Sequence, residues 1–205
     1  MVPLNTDCTV IVMAKAPVAG YAKTRLIPAL GADGAARLAQ RLLRHAIAQA
    51  VAADIGAVEL CCAPDARQAV FAELAGDSRV TLSDQGEGDL GTRMARALQR
   101  ALLTHERAVL IGTDAPALDA RYLRDAADRL ADHDAVLGPA VDGGYTLIGL
   151  RRFAPTLFEA MPWSTPQVLA LTRERLRAAG LRHAELPPLH DIDEPADLVH
   201  LHGTA

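Results

Sequence analysis

Apolar residues fall into short runs that read as strands at residues 9–13, 58–62, 80–82, 108–111, 135–137 and 145–150. Most of these runs are separated by stretches with helical spacing. Between the first two, Leu38, Leu42, Ala46 and Val51 recur on one helical face, with Asp33 as the expected start and Gly56 as the stop. Further helices are expected at about residues 92–103, at about 120–130 behind Asp119 as N-cap, and at about 166–179. In the last, Thr165 is placed to cap, Pro166 suits the first turn and Gly180 ends the helix. Alternation of this kind predicts an α/β fold built on a mainly parallel sheet.

The longest apolar run, residues 8–14, is far shorter than the roughly 20 residues of a membrane span. The first seven residues have neither the basic start nor the apolar stretch of a signal peptide. A cytoplasmic protein with no membrane partner is expected. The chain has 205 residues, 50% hydrophobic and 22% charged, enough to bury its own core, and its length favours one domain over residues 1–205. Twenty-one Lys and Arg against 25 Asp and Glu leave a net charge of −4, which gives no broad positive field for nucleic acid. Three cysteines cannot close a disulfide framework; Cys61 and Cys62, adjacent on a strand, are expected to face opposite ways, and all three read as small core residues.

In open α/β sheets, ligands sit where loops leave the carboxyl ends of strands. After the first strand comes Lys15-Ala-Pro-Val-Ala-Gly20-Tyr-Ala-Lys23-Thr24-Arg25, three cations around a Pro/Gly turn at an expected helix start. Such a loop suits phosphate, since cations neutralise its charge and backbone N–H groups donate to it. The alternative is a solvated surface loop. A Walker loop is excluded, because Pro17 and Ala22 stand where it needs glycine. Gly86-Glu-Gly88-Asp89-Leu-Gly91 satisfies G-x-G-x-x-G, but follows a marginal strand after the intervening Ser83-Asp84-Gln85. It is read as a tight loop close to a ligand rather than as a dinucleotide fingerprint.

The strand at 108–111 runs into Gly112-Thr113-Asp114, a carboxylate well placed to hold a hard cation. Near the C-terminus, Asp191 and Asp193 face the same way if their stretch is extended, and could join Asp114 around Mg²⁺. Alternatively, Asp193 or Glu194 caps a helix before Pro195. Asp142-Gly143-Gly144 before the strand at 145–150 is either a hairpin turn or a close approach to a bound molecule, with Asp142 or Thr146 hydrogen-bonding it. Trp163, in a loop before a helix, is either a packing anchor or a wall of an acceptor pocket. His45, His105, His133, His183, His200 and His202 show no zinc-like spacing, and His190 adjoins the acidic cluster.

Taken together, Lys15-Ala-Pro, Gly20, Lys23-Thr24-Arg25-Leu26, Gly112-Thr113-Asp114-Ala-Pro116, Gly138-Pro139, Asp142-Gly-Gly-Tyr-Thr-Leu-Ile-Gly, Trp163-Ser164-Thr165 and Asp191-Ile192-Asp193 resemble the glycosyltransferase-A-like, nucleotide-diphospho-sugar transferase proteins. The nearest likeness is to the radical-SAM/selenodomain-associated glycosyltransferases; the 2-phospholactate guanylyltransferases are also similar. The resemblance covers about residues 8–200. It implies a three-layer α/β/α, Rossmann-like fold with a mostly parallel mixed sheet, a nucleotide half at about 8–118 and an acceptor half at about 119–205.

The resemblance also implies roles. Lys15, Lys23, Thr24 and Arg25 would contact phosphates, and Gln85, Gly88, Asp89 and Gly91 would lie near the base. Asp114, Asp191 and Asp193 would hold Mg²⁺ or Mn²⁺. Asp142, Gly143, Tyr145, Thr146, Trp163 and Ser164 would line the acceptor site. Asp114 and Lys23 would serve catalysis, with Asp142 as candidate base. The implied activity is glycosyl transfer from a nucleoside diphosphate-sugar to a small acceptor. Nucleotidyl transfer with pyrophosphate release is the alternative, and a non-catalytic nucleotide-binding module is the second. The first loop departs from the more glycine-rich G-x-G-T-R pattern of the related nucleotidyltransferases.

Overall fold

Strand β1 (Cys8–Lys15) lies between β2 (Ala57–Ala63) and β4 (Arg107–Ile111), parallel to both. The structure is a computed structural model that describes residues 7–76 and 79–201. The readings made of residues 1–6 and of His202 lie outside the described residues. With β3 (Val80–Asp84), β5 (Ala135–Pro139), β6 (Tyr145–Leu150) and β7 (His183–Glu185), the sheet has the order β3-β2-β1-β4-β6-β5-β7. Strand β6 is antiparallel to β4 and β5, and the other pairs are parallel. The sheet is therefore mixed but mostly parallel, as expected.

Side-chain alternation along each strand builds a core on either face. On one face Val10, Val12, Val109, Ile111 and Leu147 pack with α1 (Ile27–Ala53) and α4 (Ala120–Asp132), joined by Phe71 of the short helix α2 (Ala69–Leu74). On the other, Ile11, Leu110, Leu137 and Ile148 pack with α3 (Leu90–Ala101) and α5 (Val168–Ala178). A fully buried leucine in such a layer contributes about 1.5–3 kcal/mol. Cys61 and Cys62 enter opposite cores, and Cys8, Cys61 and Cys62 are buried free thiols. Among the described residues, no helix is long and apolar enough to cross a membrane.

Five local expectations change. Helix α1 starts at Ile27 with Pro28 in its first turn rather than at Asp33, and kinks at Gly31, whose φ is 68°. It ends when Asp54 turns left-handed, two residues before Gly56. Helix α3 begins at Leu90, because the Asp89 carboxylate accepts from the Thr92 N–H. Thr165 does not cap α5; its hydroxyl donates to the Pro162 carbonyl, and the helix starts after Gln167. The fifth change is the presence of α2 and β7, neither of which the sequence pattern announced: each is too short to show a period. Asp119 caps α4 as expected, accepting from the Tyr122 N–H at 2.8 Å.

Candidate functional site

The carboxyl ends of β1, β4 and β5 open onto one crest. Beyond β1 the chain turns through Ala16, whose N–H donates to the Ala63 carbonyl, and the Val18 carbonyl accepts from Tyr21 and Ala22. Lys23 then adopts a left-handed conformation, with φ 50° and ψ 42°, before a 3₁₀ turn at Thr24–Leu26 leads into α1. Leu26 anchors that turn in a small core with Leu38, Leu42 and Ile192. The Lys23 side chain is thereby directed inward and is only 7% exposed.

Its ammonium has three hydrogens and meets three acceptors. Lys23 Nζ lies 2.6 Å from Asp114 Oδ1, 3.0 Å from Asp193 Oδ1 and 2.5 Å from the Ile192 carbonyl. Burial alone would lower the Lys23 pKa, but Asp114 and Asp193 outweigh it and hold it above the ordinary lysine value. The two carboxylates are 43% exposed on their outer side.

The C-terminal stretch reaches the site by running beside β5. Leu189 bridges to Ala140, the Tyr122 hydroxyl donates to the Pro187 carbonyl at 2.8 Å, and the Ile192 N–H donates to the Asp114 carbonyl at 2.8 Å. Of the alternatives for Asp193 and Glu194, Glu194 takes the cap: it forms a reciprocal capping box with Asp197 at the 3₁₀ turn Pro195–His200. The Asp193 carboxylate is left facing Lys23.

The remaining cations differ from Lys23. Lys15 is exposed, its Nζ 5.3 Å from the Tyr21 ring centroid. Thr24 is exposed, and Arg25 stands 4.0 Å from Asp193 Oδ2. Asp191 is half-buried, and burial raises its pKa to about 6, with Asp142, Asp193 and Asp114 adding to the rise. Asp142 is exposed and accepts from the Gly144 N–H at 2.8 Å. Asp191 thus feels the other three acids, yet among the described residues no three His, Cys, Asp or Glu side chains are grouped so as to hold a metal ion. Asp114 and Asp193 are both turned to the Lys23 ammonium, so the residues as arranged do not fit a metal.

The glycine-rich loop is held from beneath. Gln85 is buried, and its amide donates to the Ala14 and Cys61 carbonyls at 3.0 Å each. Arg93 donates to the Gly88 carbonyl, and Arg96 to those of Gln85 and Glu87. Sequence reading missed both arginines, although their i, i+3 spacing on α3 placed them under the loop. Gly91 must be glycine, because a Cβ there would lie 2.6 Å from Trp163 Nε1 and 2.8 Å from the Phe158 carbonyl oxygen.

Trp163 packs on Gly91 and meets Tyr145 edge to face, with centroids 6.4 Å apart. Among the described residues, the Tyr145 hydroxyl and Trp163 Nε1 are buried with no hydrogen-bond partner. Thr146 is buried and donates to the Gly138 carbonyl at 3.3 Å. Gly143, at φ 92°, presses on the Pro166 backbone and its carbonyl accepts from the Leu169 N–H. Ser164 is exposed, with φ 62°. Lys23, Asp114, Asp142, Asp191 and Asp193 thus gather at the crest, while Gln85, Thr146 and Trp163 are turned into the fold.

The family described as "Uncharacterized protein conserved in bacteria (DUF2064)" matches residues 46–165. The chain belongs to the DUF2064 family. No curated protein matches it. A crystal structure from Desulfovibrio desulfuricans G20, described as that of a candidate nucleotide-diphospho-sugar transferase, is 33% identical, with a TM-score of 0.89 over 97% of this chain and 87% of its own. Two others share the fold. CMP:2-keto-3-deoxy-manno-octonic acid synthetase complexed with CTP is 12% identical, with a TM-score of 0.59 over 96% of this chain and 97% of its own. The manganese complex of Rv0371c from Mycobacterium tuberculosis H37Rv is 20% identical, with a TM-score of 0.53 over 96% and 98%.

Proposed function

We propose that this DUF2064 member is a transferase that uses an activated nucleotide, and that its reaction is glycosyl transfer from a nucleoside diphosphate-sugar to a small acceptor. One observation carries this reading: the Lys23 ammonium stands at the carboxyl ends of β1 and β4, between Asp114 and Asp193, with Lys15 and Arg25 exposed on the same loop. The 33% identical Desulfovibrio protein, described as a candidate nucleotide-diphospho-sugar transferase, supports the substrate class.

In this reaction an acceptor hydroxyl oxygen attacks the anomeric carbon, and the bond from that carbon to the phosphate oxygen breaks. Negative charge grows on the departing diphosphate, where Lys15, Arg25 and a repositioned Lys23 stabilise it. Removing one such preorganised group typically costs about 2.7–4 kcal/mol of transition-state energy. The hydroxyl proton passes to a carboxylate at the crest, with Asp142 the exposed candidate. A divalent ion is known of this fold from the manganese complex of Rv0371c. Because Asp114 and Asp193 hold Lys23, no step here is assigned to a metal.

Nucleotidyl transfer is the second reading, favoured by the CTP bound to the synthetase of the same fold. There an acceptor oxygen attacks the α-phosphorus and pyrophosphate leaves. A panel of sugar nucleotides and nucleoside triphosphates, incubated with the protein and candidate acceptors, separates the outcomes. Free nucleoside diphosphate is expected. Pyrophosphate would replace the first reading by the second, and tight binding with neither product would make the protein a binding module.

A further inference from the structure

The mismatch between the acidic cluster and a metal site has a specific cause, and it is a lysine. Every hydrogen of the Lys23 ammonium is engaged, on Asp114, Asp193 and the Ile192 carbonyl, at 2.5–3.0 Å. In this state Lys23 has nothing left to offer a phosphate, and the two carboxylates already have a cation. We propose that Lys23 is the resident cation of the Asp114–Asp193 pair, that the ammonium and a divalent ion exclude one another there, and that a polyphosphate opens the pair by drawing Lys23 away. The last clause rests on the nucleotide reading above; the exclusion itself does not.

Three features support it. The acceptors reach Lys23 from two distant parts of the chain, Asp114 after the central strand β4 and Asp193 in the C-terminal stretch, so the contact also ties that stretch to the first loop. A divalent ion placed against the same oxygens would face the ammonium across a few ångströms, where like charges repel strongly. The backbone around Lys23 also leaves room for it to move. Residues 18–21 are exposed, and Gly20 has open space where a Cβ would stand. Lys23 itself occupies the left-handed region, which a residue with a side chain holds only when its contacts compensate. Loss of those contacts therefore favours a different backbone conformation at Lys23, one that carries the ammonium off the pair.

The test uses the full chain and Mn²⁺ alone, with no nucleotide, so its outcome is independent of whether the protein transfers a sugar or a nucleotide. By calorimetry, Lys23→Met and Lys23→Gln are expected to bind Mn²⁺ at least about ten-fold more tightly than wild type. Adding Asp114→Asn to either should abolish the gain, which assigns the ion to the pair. In the wild-type protein, acylation of the Lys23 amine followed by mass spectrometry is expected to be slow, and to accelerate at Mn²⁺ concentrations that load the protein. Variants that melt cooperatively yet bind Mn²⁺ no better than wild type would overturn the exclusion. So would a wild-type protein that binds Mn²⁺ with Lys23 labelling unchanged, since ion and lysine would then coexist.

Discussion

Lys23 and Asp191 show how much one side chain's surroundings decide. A buried ammonium is costly unless it is paired and fully hydrogen-bonded, and Lys23 is both, with two carboxylates and a carbonyl around it. Asp191 has the opposite situation: half-buried among Asp142, Asp193 and Asp114, its carboxyl resists ionisation and its pKa rises from 3.8 to about 6. Between those two values the folded carboxyl keeps a proton that the unfolded chain has released, so stability falls as pH rises through that window. Asp191→Asn removes the penalty. The variant is expected to melt several degrees above wild type at about pH 7.5, and to converge with it below about pH 4, as thermal denaturation across pH will show.

Close contacts between elements explain two of the glycines that a motif reading assigns to a ligand. At Gly143 an added Cβ would lie 2.4 Å from the Pro166 carbonyl oxygen, a backbone atom that cannot swing aside, and φ is already 92°. Gly143→Ala is expected to destabilise by about 3 kcal/mol, combining overpacking with a strained backbone. At Gly91 the obstacles are the Trp163 indole and the Phe158 carbonyl oxygen. Gly91→Ala is expected to cost about 2 kcal/mol, because its nearest obstacle is an indole that can yield, the main-chain oxygen stands farther off than at Gly143, and no left-handed φ adds strain. Urea denaturation of both variants checks the order as well as the size. If Gly91→Ala proves neutral in stability, the tight seat of Trp163 on α3 is not what requires glycine there.

Across the whole molecule, the sheet brings the start and the end of the chain to one crest. Lys23 meets Asp193 across 170 positions of sequence, a contact that exists only when both the first loop and the C-terminal stretch are docked. Asp114→Ala is expected to lower turnover by about ten-fold or more while the protein still melts cooperatively, because Asp114 positions the ammonium that the departing diphosphate draws on, whereas Asp193 and the Ile192 carbonyl still hold Lys23 in place. Lys23→Ala should weaken nucleotide binding measured by calorimetry by about ten-fold or more, through the loss of the cation that a polyphosphate draws off the Asp114–Asp193 pair. Unchanged nucleotide affinity in that variant would make the first loop a surface feature. Wild-type turnover in Asp114→Ala would remove that carboxylate from the chemistry.

Six strands and the four longer helices were legible in the amino-acid sequence, because each repeats its apolar positions often enough to declare a period, and Asp119 declared the start of α4 as a local cap. The residue types at the crest were legible for a similar reason: they follow apolar runs whose ends position them. Helix α2 and strand β7 were not, being six and three residues long and held by neighbours rather than by their own pattern. Nor could spacing show that Gln85 turns inward to two carbonyls, that Gly91 makes room for an indole, or that Lys23 spends all its hydrogens on two acids and a carbonyl. Sequence by itself determined the elements and the supply of charges, because those depend on local periodicity and side-chain chemistry. Only the tertiary structure decided which charge meets which, because that depends on strand order and on contacts between residues far apart along the chain.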